Sequence, residues 1–312
     1  MTTLVFAILL FLNAFVVPPT GAAGDFEVQP VQLGDLRLVH QVGPAFFTGG
    51  SPRGDADFES LRAAGIRTVI SVDGAKPEVE RARVRGIRYV HLPIGYDGVD
   101  SSVAVRLARA IRDLPGPIYL HCHHGRHRAP AAAAVGLASL GRLEPSRGVR
   151  MLEIVGTSRD YPGLYAAVGG SAPLSKTAID AIPLGDLPSV ATVSDLATGM
   201  ADVDRIHDRL RLLAANGWVA PADHADLVPA VEAGILTERF RGMSHLAPNT
   251  GSVEKSTGSP LDFRRTIDLA MSLEAAVGAG RTADADAILG SISSDCRACH
   301  RRHRNGPRPG RD

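Results

Sequence analysis

The periodicity of apolar residues changes once along this chain, and the change divides it into two regions of different fold class. From about residue 35 to 165, short β-branched runs alternate with helical patterns, which is typical of a parallel sheet with crossover helices. After residue 188, only helical spacing remains. The sequence therefore predicts an α/β domain with a central, mostly parallel sheet and flanking helices, followed by an all-α four-helix bundle.

The first region is predicted to contain four strands and four helices. The strands are 36–42, 67–72, 87–92 and 117–121, and the helices are 55–64, 77–85, 102–114 and 130–140. Glycine, proline and serine gather between residues 168 and 188, which predicts a linker there. We therefore expect the two domains at 24–167 and 189–312.

Four amphipathic helices are predicted in the second region. Their apolar residues recur at helical spacing, starting at Leu196, Leu236, Phe263 and Ile288. Pro229 predicts a kink or a late start of the second helix. Ser259 and Pro260 predict the start of the third helix, and 249–258 is predicted to be a loop.

The N-terminus carries an apolar run, Leu4 to Val17, followed by small residues that end at Ala23. This layout predicts a secretory signal peptide over residues 1–23. The run is shorter than the roughly 20 residues that span a bilayer, although an uncleaved anchor stays open because no Lys or Arg precedes it. We expect a periplasmic or otherwise exported protein without stable membrane insertion.

Charge and cysteine content limit the chemistry. The chain has 34 basic and 33 acidic residues, so nothing in the overall charge favours nucleic acid or a membrane surface, and any anion site must be local. Of its three cysteines, Cys122 stands alone while Cys296 and Cys299 form a pair. A disulfide-stapled exported protein would carry an even set. The cysteines therefore indicate two separate chemistries.

The first motif lies between the fourth predicted strand and an Ala-rich helix. Cys122 follows the strand directly, and Arg128 stands six residues later, at the start of the helix. A loop that ends at a helix N-terminus directs its backbone N–H groups inward, where they bind a phosphate dianion. Arginine can bind two phosphate oxygens, and the same positive field favours a nucleophilic thiolate. A buried structural thiol is the alternative interpretation of Cys122.

The residues His-Cys-x-x-Gly-x-x-Arg resemble the signature loop of the cysteine-dependent protein tyrosine and dual-specificity phosphatases, over roughly residues 40 to 165. The resemblance implies that Cys122 is the nucleophile and Arg128 the phosphate clamp. It also implies that Gly125 lets the backbone close around the phosphate and that His121 supports the thiolate. The remaining loop residues implied to bind phosphate are His123, His124, Arg126 and His127.

Phosphatases of this family use an aspartate from the loop after the preceding strand as general acid. In this chain Asp97 is the candidate, because it follows the strand end closely and stands near glycines, and Asp100 is the reserve.

Two features depart from the family pattern. Ala129 stands where the family has Ser or Thr, whose hydroxyl aids hydrolysis of the phosphocysteine. We therefore expect slow turnover, or a site that only binds. The loop also contains His123, His124 and His127, which would suit a polyanionic substrate. The other interpretations of these histidines are solvent-facing residues, which we favour, and metal ligands.

The second motif is Cys296-Arg297-Ala298-Cys299-His300, the attachment pattern of c-type haem. Its place on the last predicted helix resembles the cytochrome c-prime and cytochrome c-556 family, over about residues 188 to 305. The resemblance implies one covalent haem c, with His300 as proximal iron ligand. Met200 is the candidate distal ligand and His207 the runner-up, although either is also compatible with a place in the core.

Alternatives to haem fit this motif less well. Zinc would require a second ligand pair, which the sequence lacks, and a redox dithiol of this spacing normally follows a strand. Arg304 matches a basic residue that the cytochrome family has soon after the motif, while His303 stands where an aromatic residue is usual.

Together the motifs predict an exported haemoprotein that hydrolyses phosphate monoesters through a phosphocysteine. We expect a phosphorylated protein or a small polyanion as substrate, and a redox partner for the haem. Two alternatives keep the fold: a sulfurtransferase that carries a persulfide on Cys122, or a non-enzymatic redox or gas sensor with an anion-binding domain. Asp97 distinguishes the phosphatase from the sulfurtransferase, because sulfur transfer requires no acid for an alkoxide leaving group.

Overall fold

The computed structural model describes residues 27–246 and 261–304. The predicted signal peptide, the predicted loop over 249–258 and the predicted helix start at Ser259 and Pro260 lie outside the described residues.

The first region is built on one mixed sheet. Its strands are β1 (Gln29–Pro30), β2 (His40–Gly43), β3 (Phe46–Gly49), β4 (Thr68–Ser71), β5 (Arg88–His91) and β6 (Ile118–His121). Their order is β1-β2-β3-β6-β4-β5. The pairs β1–β2 and β2–β3 are antiparallel, whereas β3–β6, β4–β6 and β4–β5 are parallel. Strand β6 therefore lies between two parallel neighbours.

The structure corrects the prediction for the first strand. Residues 36–42 do not form one strand, because Leu38 adopts a φ of 50°, in the left-handed region that interrupts extended backbone. The sheet instead contains the hairpin formed by β2 and β3, which turns at Pro44 and Ala45. Strand β3 was not predicted, since four residues directly after a turn give too short a pattern to recognise.

Helices cover both faces of the sheet. They are α1 (Gly54–Ala63), α2 (Val79–Arg83), α3 (Ser101–Asp113), α4 (Arg128–Ser139), α5 (Pro145–Val155), α6 (Pro162–Gly169) and α7 (Lys176–Asp180). Successive side chains of β4 and β6 point to opposite faces of the sheet, and each face has its own hydrophobic core. Val69 and Tyr119 pack with α1 and α2 on one face, while Ile70 and Leu120 pack with α3 and α4 on the other. All residues of α4 are buried, because its small alanines allow close packing between the sheet and α3.

The predicted linker is more ordered than its composition indicated. Helices α5 and α6 were not predicted, although both begin with proline in the first turn. Helix α7 lies inside the segment 168–188, and Leu187 is buried in the core on the α4 side of the sheet. The backbone N–H of His91, the last residue of β5, also donates to the Pro188 carbonyl. This segment therefore packs against the α/β region.

Among its described residues, the second region contains four long helices, α8 (Asp195–Ala215), α9 (Pro229–Leu246), α10 (Arg264–Gly278) and α11 (Thr282–His303). Their apolar sides form one core, which includes Leu210, Leu236, Leu273 and Ile292. Pro229 is the first residue of α9, so the late start was the correct alternative. Within the described residues, no helix has both the length and the apolar character required to cross a membrane.

The helical region contacts the α/β region at the loop that follows β6. From α8, Asp208 forms ion pairs with Arg53 and His123. At the end of α11, the guanidinium of Arg304 lies 4.1 Å from the centre of the Tyr96 ring. Both contacts place the helical region beside the first motif.

Candidate active site and candidate haem site

The loop from Cys122 to Arg128 connects the central strand β6 to the buried helix α4. Cys122 is 2% exposed and lies at the carboxyl end of β6, between the ends of β3 and β4. Ligands of α/β proteins bind at this edge of a parallel sheet, where strand ends and helix N-termini meet. The local strand and helix signals therefore place the thiol as the sequence predicted.

Gly125 is required by the close packing of this loop. It adopts a φ of +77°, and a Cβ atom at this position would lie 2.4 Å from the Gly49 carbonyl carbon. Two hydrogen bonds hold the loop backbone: the Thr157 hydroxyl donates to the Arg126 carbonyl at 2.7 Å, and the Ser51 N–H donates to the His123 carbonyl at 3.1 Å. The loop is therefore held both by its own Gly125 and by these contacts with its neighbours.

Arg128 is held by Asp73, a residue that the sequence analysis missed. Its Nη2 donates to Asp73 Oδ1 at 3.1 Å, and both side chains are buried. Burial opposes ionisation of Asp73, but the charges of Arg128 and His123 outweigh it and lower the pKa of this carboxyl. Asp73 follows β4 by two residues, at the same sheet edge as Cys122, and this position could have identified it. Asp73 therefore positions the guanidinium.

Replacing Asp73 by Asn should destabilise the folded protein by about 3 kcal/mol, because it leaves the buried Arg128 charge without its partner. The pKa of Asp73 is lowered from its ordinary value of 3.8, so its contribution is present above that pH and is lost as pH falls further. The difference between variant and wild type should therefore shrink in acid. Denaturant unfolding at several pH values measures it.

Inorganic phosphate provides an internal check on this prediction. It should stabilise the Asp73→Asn protein more than the wild type, since phosphate supplies the missing negative charge beside Arg128. The exposed Asp35→Asn substitution is the matched control and should have little effect. Equal stability of the Asp73→Asn and Asp35→Asn proteins at neutral pH would contradict the role of Asp73.

The loop histidines differ in their surroundings. His123 is 4% exposed, so the expectation that it faces solvent is wrong. Its Nε2 lies 3.1 Å from Asp208 Oδ2 of α8, and the half-buried His124 lies 3.5 Å from the same oxygen. His127 is also half-buried and accepts a hydrogen bond from the Ser158 N–H. Burial lowers the pKa of His127 to about 4. The Arg126 side chain is exposed.

His121 lies in the core beneath the loop. Its Nε2 is 2.6 Å from the Tyr89 hydroxyl, and burial lowers the pKa of His121 to about 4, which keeps the imidazole neutral. No hydrogen-bond partner of its Nδ1 is found in the described part of the chain. The neutral ring lies near the Tyr89 and Tyr119 rings, whose centres are 6.0 Å and 6.1 Å from its own.

Both candidate acids lie between β5 and α3. Asp97 is half-buried, and its backbone packs so closely against α6 that a Cβ atom on Gly163 would lie 2.3 Å from the Asp97 carbonyl oxygen. Asp100 is exposed and precedes the first residue of α3. Within this segment it is Tyr96 whose ring contacts Arg128, at 4.7 Å from the guanidinium carbon. Tyr96 was not predicted, because nothing local distinguishes it.

Tyr96 joins the two regions of the protein. The guanidinium of Arg304 lies 4.1 Å from the centre of its ring, and the Tyr161 ring lies 4.5 Å away. Burial raises the pKa of the Tyr96 hydroxyl, against the opposing effect of Arg128. The Tyr96 ring is therefore a neutral surface that contacts arginines of both regions.

The residues of the second motif lie near the end of α11. Cys296, Cys299 and His300 are half-buried, and their spacing places them on one side of the helix. The side chains of Cys296 and Met200 both pack against the edge of the helical core. His207 is 2.8 Å from the Ser293 hydroxyl, so its Nε2 already has a partner. This donor set, two free thiols beside an imidazole on an amphipathic helix, fits a covalently attached haem.

No protein family and no curated protein matches this sequence. Among solved structures, P. aeruginosa TpbA is 19% identical, with a TM-score of 0.41, over 54% of this chain and 100% of TpbA. PTPMT1 in complex with PI(5)P is 15% identical, with a TM-score of 0.35, over 42% and 92% of the two chains. The core catalytic domain of the PP-IP phosphatase SIW14 from S. cerevisiae is 12% identical, with a TM-score of 0.34, over 60% and 97%.

The S. cerevisiae neighbour is named as a PP-IP phosphatase, and each of the three similarities covers at most 60% of this chain.

Proposed function

We propose that the α/β region hydrolyses phosphate monoesters through a phosphocysteine on Cys122. One observation carries this proposal: a buried cysteine at the end of the central strand begins a loop that closes tightly at Gly125 and ends on a buried arginine at a helix start. Backbone N–H groups, the helix dipole and Arg128 then all favour a phosphate group next to the thiol.

The proposed reaction has two steps. In the first, the Cys122 sulfur attacks phosphorus while the bond to the leaving oxygen breaks, and that oxygen takes a proton from a general acid. In the second, water attacks the phosphocysteine, the S–P bond breaks, and inorganic phosphate leaves. Arg128 stabilises the equatorial oxygens in both steps. We assign the acid to Asp97, with Asp100 as the reserve.

Asp97 also favours phosphate hydrolysis over the sulfurtransferase alternative. Sulfur transfer from a persulfide to a thiol acceptor leaves no alkoxide that must be protonated. A half-buried carboxyl beside Tyr96, whose ring contacts Arg128, has a role in phosphate ester hydrolysis that sulfur transfer does not require.

Hydrolysis of the phosphocysteine should limit turnover, because Ala129 is fully buried and offers no hydroxyl to the departing sulfur. A fast aryl phosphate should therefore give a burst of product close to one equivalent per enzyme, followed by a slow steady rate. Ala129→Ser should raise the steady rate about tenfold. The added hydroxyl would donate one hydrogen bond, worth roughly 1.4 kcal/mol, only in the transition state of phosphocysteine hydrolysis. Stopped-flow release of the aryl alcohol measures both phases.

Ala131→Ser is the matched control for this substitution. Ala131 is also fully buried in α4, so it reports the cost of placing a hydroxyl in this helix. It should leave the steady rate unchanged or lower. Linear product release from the first turnover, together with no gain from Ala129→Ser, would show that another loop residue already supplies the donor.

We infer that the helical region is a c-type haem domain of the cytochrome c-prime kind and that the protein is exported. Cys296 and Cys299 would hold the haem covalently and His300 would be the proximal ligand. Met200 is the better candidate for the distal side, since it packs against the same core as Cys296 while His207 is engaged by Ser293. When bound, the haem supplies one-electron redox or gas-binding chemistry, which implies a redox partner or a signal.

A further inference from the structure

One carboxylate of the helical region lies among four cationic or protonatable groups of the α/β region. Asp208 Oδ2 is 3.1 Å from His123 Nε2 and 3.5 Å from His124 Nε2. The same oxygen is 3.7 Å from Arg53 Nη2 and 3.8 Å from Arg37 Nη1. These four residues come from three separate segments of the α/β region, so the fold builds a concave anion site around a single oxygen atom.

These groups stabilise the ionised form of the Asp208 carboxyl. Burial alone would raise the pKa of Asp208, but hydrogen bonds and charges from His123 and His124 outweigh it and hold that pKa well below its ordinary range. His123 also faces Asp73 Oδ2 at 3.8 Å and Asp204 Oδ2 at 3.9 Å, both beyond hydrogen-bond distance. Two arginines and two histidines therefore still offer more donors than the Asp208 oxygen can accept. A phosphate group has three acceptor oxygens and about twice the charge, and therefore matches this donor set better.

A cavity of about 860 Å³ opens beside this site, at the contact between the two regions. Its volume falls in the range of small-molecule sites, which is roughly 300–1,000 Å³. Besides Arg37, Arg53, His123 and His124, its basic lining residues are Lys76, His121, Arg205, Arg209, Arg211 and His224. Of these, Arg205 pairs with Asp202 and Arg209 with Glu232. Only Asp73, Glu78 and Asp208 oppose them among the lining residues. The excess of basic groups favours a ligand with several negative charges.

A metal ion is the competing occupant of this cluster. Ligand atoms of His123, His124 and Asp204 lie within 4.8 Å of one another. Arg53 argues against a cation, because its Nη2 lies 3.3 Å from His123 Nε2, where it would repel a divalent ion. The same guanidinium would add a donor to an anion.

We propose that Arg37, Arg53, His123 and His124 form a second anion site, which binds a phosphate group of a polyphosphorylated small molecule in place of the Asp208 carboxylate. The remaining phosphates of such a ligand lie in the adjoining basic cavity. The proposal concerns binding alone and holds whether or not Cys122 hydrolyses esters.

Binding of inorganic tripolyphosphate tests this site, measured by isothermal titration calorimetry on the full chain carrying Cys122→Ser to prevent turnover. Adding Asp208→Asn removes the internal competitor and should tighten binding by about tenfold or more. Adding Arg53→Ala to that protein should abolish the gain. Asp268→Asn and Arg142→Ala, exposed substitutions away from the cavity, are the matched controls and should not alter the affinity.

The outcomes separate the alternatives. An Asp208→Asn protein that binds tripolyphosphate no more tightly than the Asp268→Asn protein would overturn the proposal. So would cobalt binding that is lost in His124→Ala, with no dependence of tripolyphosphate binding on Arg53. If Asp208→Asn destabilises the protein, Arg53→Ala alone provides the test. In the otherwise wild-type chain it must weaken tripolyphosphate binding for the proposal to hold. Absence of esterase activity in wild type would refute the phosphatase alone and leave these affinities unchanged.

Discussion

Replacing Cys122 by Ser is expected to lower the rate of aryl phosphate hydrolysis by roughly a thousandfold or more, because an alkoxide is far harder to form at neutral pH than a thiolate. The substitution changes one atom at the bottom of a buried loop. Arg128, Gly125 and the loop backbone that would surround a bound phosphate should stay in place. Release of inorganic phosphate measures the effect.

Binding distinguishes loss of the nucleophile from loss of the site. The Cys122→Ser protein should retain its affinity for inorganic phosphate, since Arg128 and the loop backbone do not depend on the thiol. Cys296→Ser removes a thiol from the other region and should keep most of the hydrolysis. Phosphate release by the Cys122→Ser protein at the wild-type rate would show that the proposed nucleophile is not used.

Loss of covalent haem is the largest effect expected in the helical region. After export in a strain competent for haem attachment, the wild-type chain should gain the mass of one haem and keep its colour when denatured. The double substitution Cys296→Ser and Cys299→Ser should lose the added mass and the colour, because each thiol would supply one thioether sulfur and no other cysteine lies on that helix. Intact-mass measurement and the absorption spectrum of the denatured protein report the result.

Cys122→Ser is the control for that experiment, because it removes the remaining thiol of the chain and should leave the haem in place. A wild-type protein whose mass equals the haem-free polypeptide would contradict the haem assignment. In that case the pair on α11 would be two ordinary half-buried thiols at the edge of the helical core.

Elements with strong local signals were predicted from the sequence to within about two residues. Strands β4, β5 and β6 and helices α1 to α4 follow the predicted ranges closely, since apolar period and helix propensity are properties of neighbouring residues. The position of Cys122 could be predicted for the same reason: a strand, a short loop with glycine and a helix start are all local. The short strand β3 and helix α7 lacked enough residues for a period to show.

The residues that surround the loop from Cys122 to Arg128 could not be predicted from neighbouring positions in the sequence. Asp73 meets Arg128 across 55 positions of sequence, and His123 meets Asp208 across 85. A histidine in a polar loop looks solvent-facing until α8 packs over it, and this packing made the expectation for His123 wrong. The strength of each of these charge pairs depends on distance and on the exclusion of water, which only the folded chain establishes.

The sequence by itself determined two fold classes, a phosphate-type loop at Cys122 and a haem-type motif at Cys296, because each depends on a few consecutive residues. Only the tertiary structure decided that these motifs belong to one connected assembly. Arg304, four residues after His300, reaches Tyr161 across 143 positions and lies on the Tyr96 ring that also contacts Arg128. Such a contact follows from the packing of α11 against the α/β region, and no local pattern of residues records it.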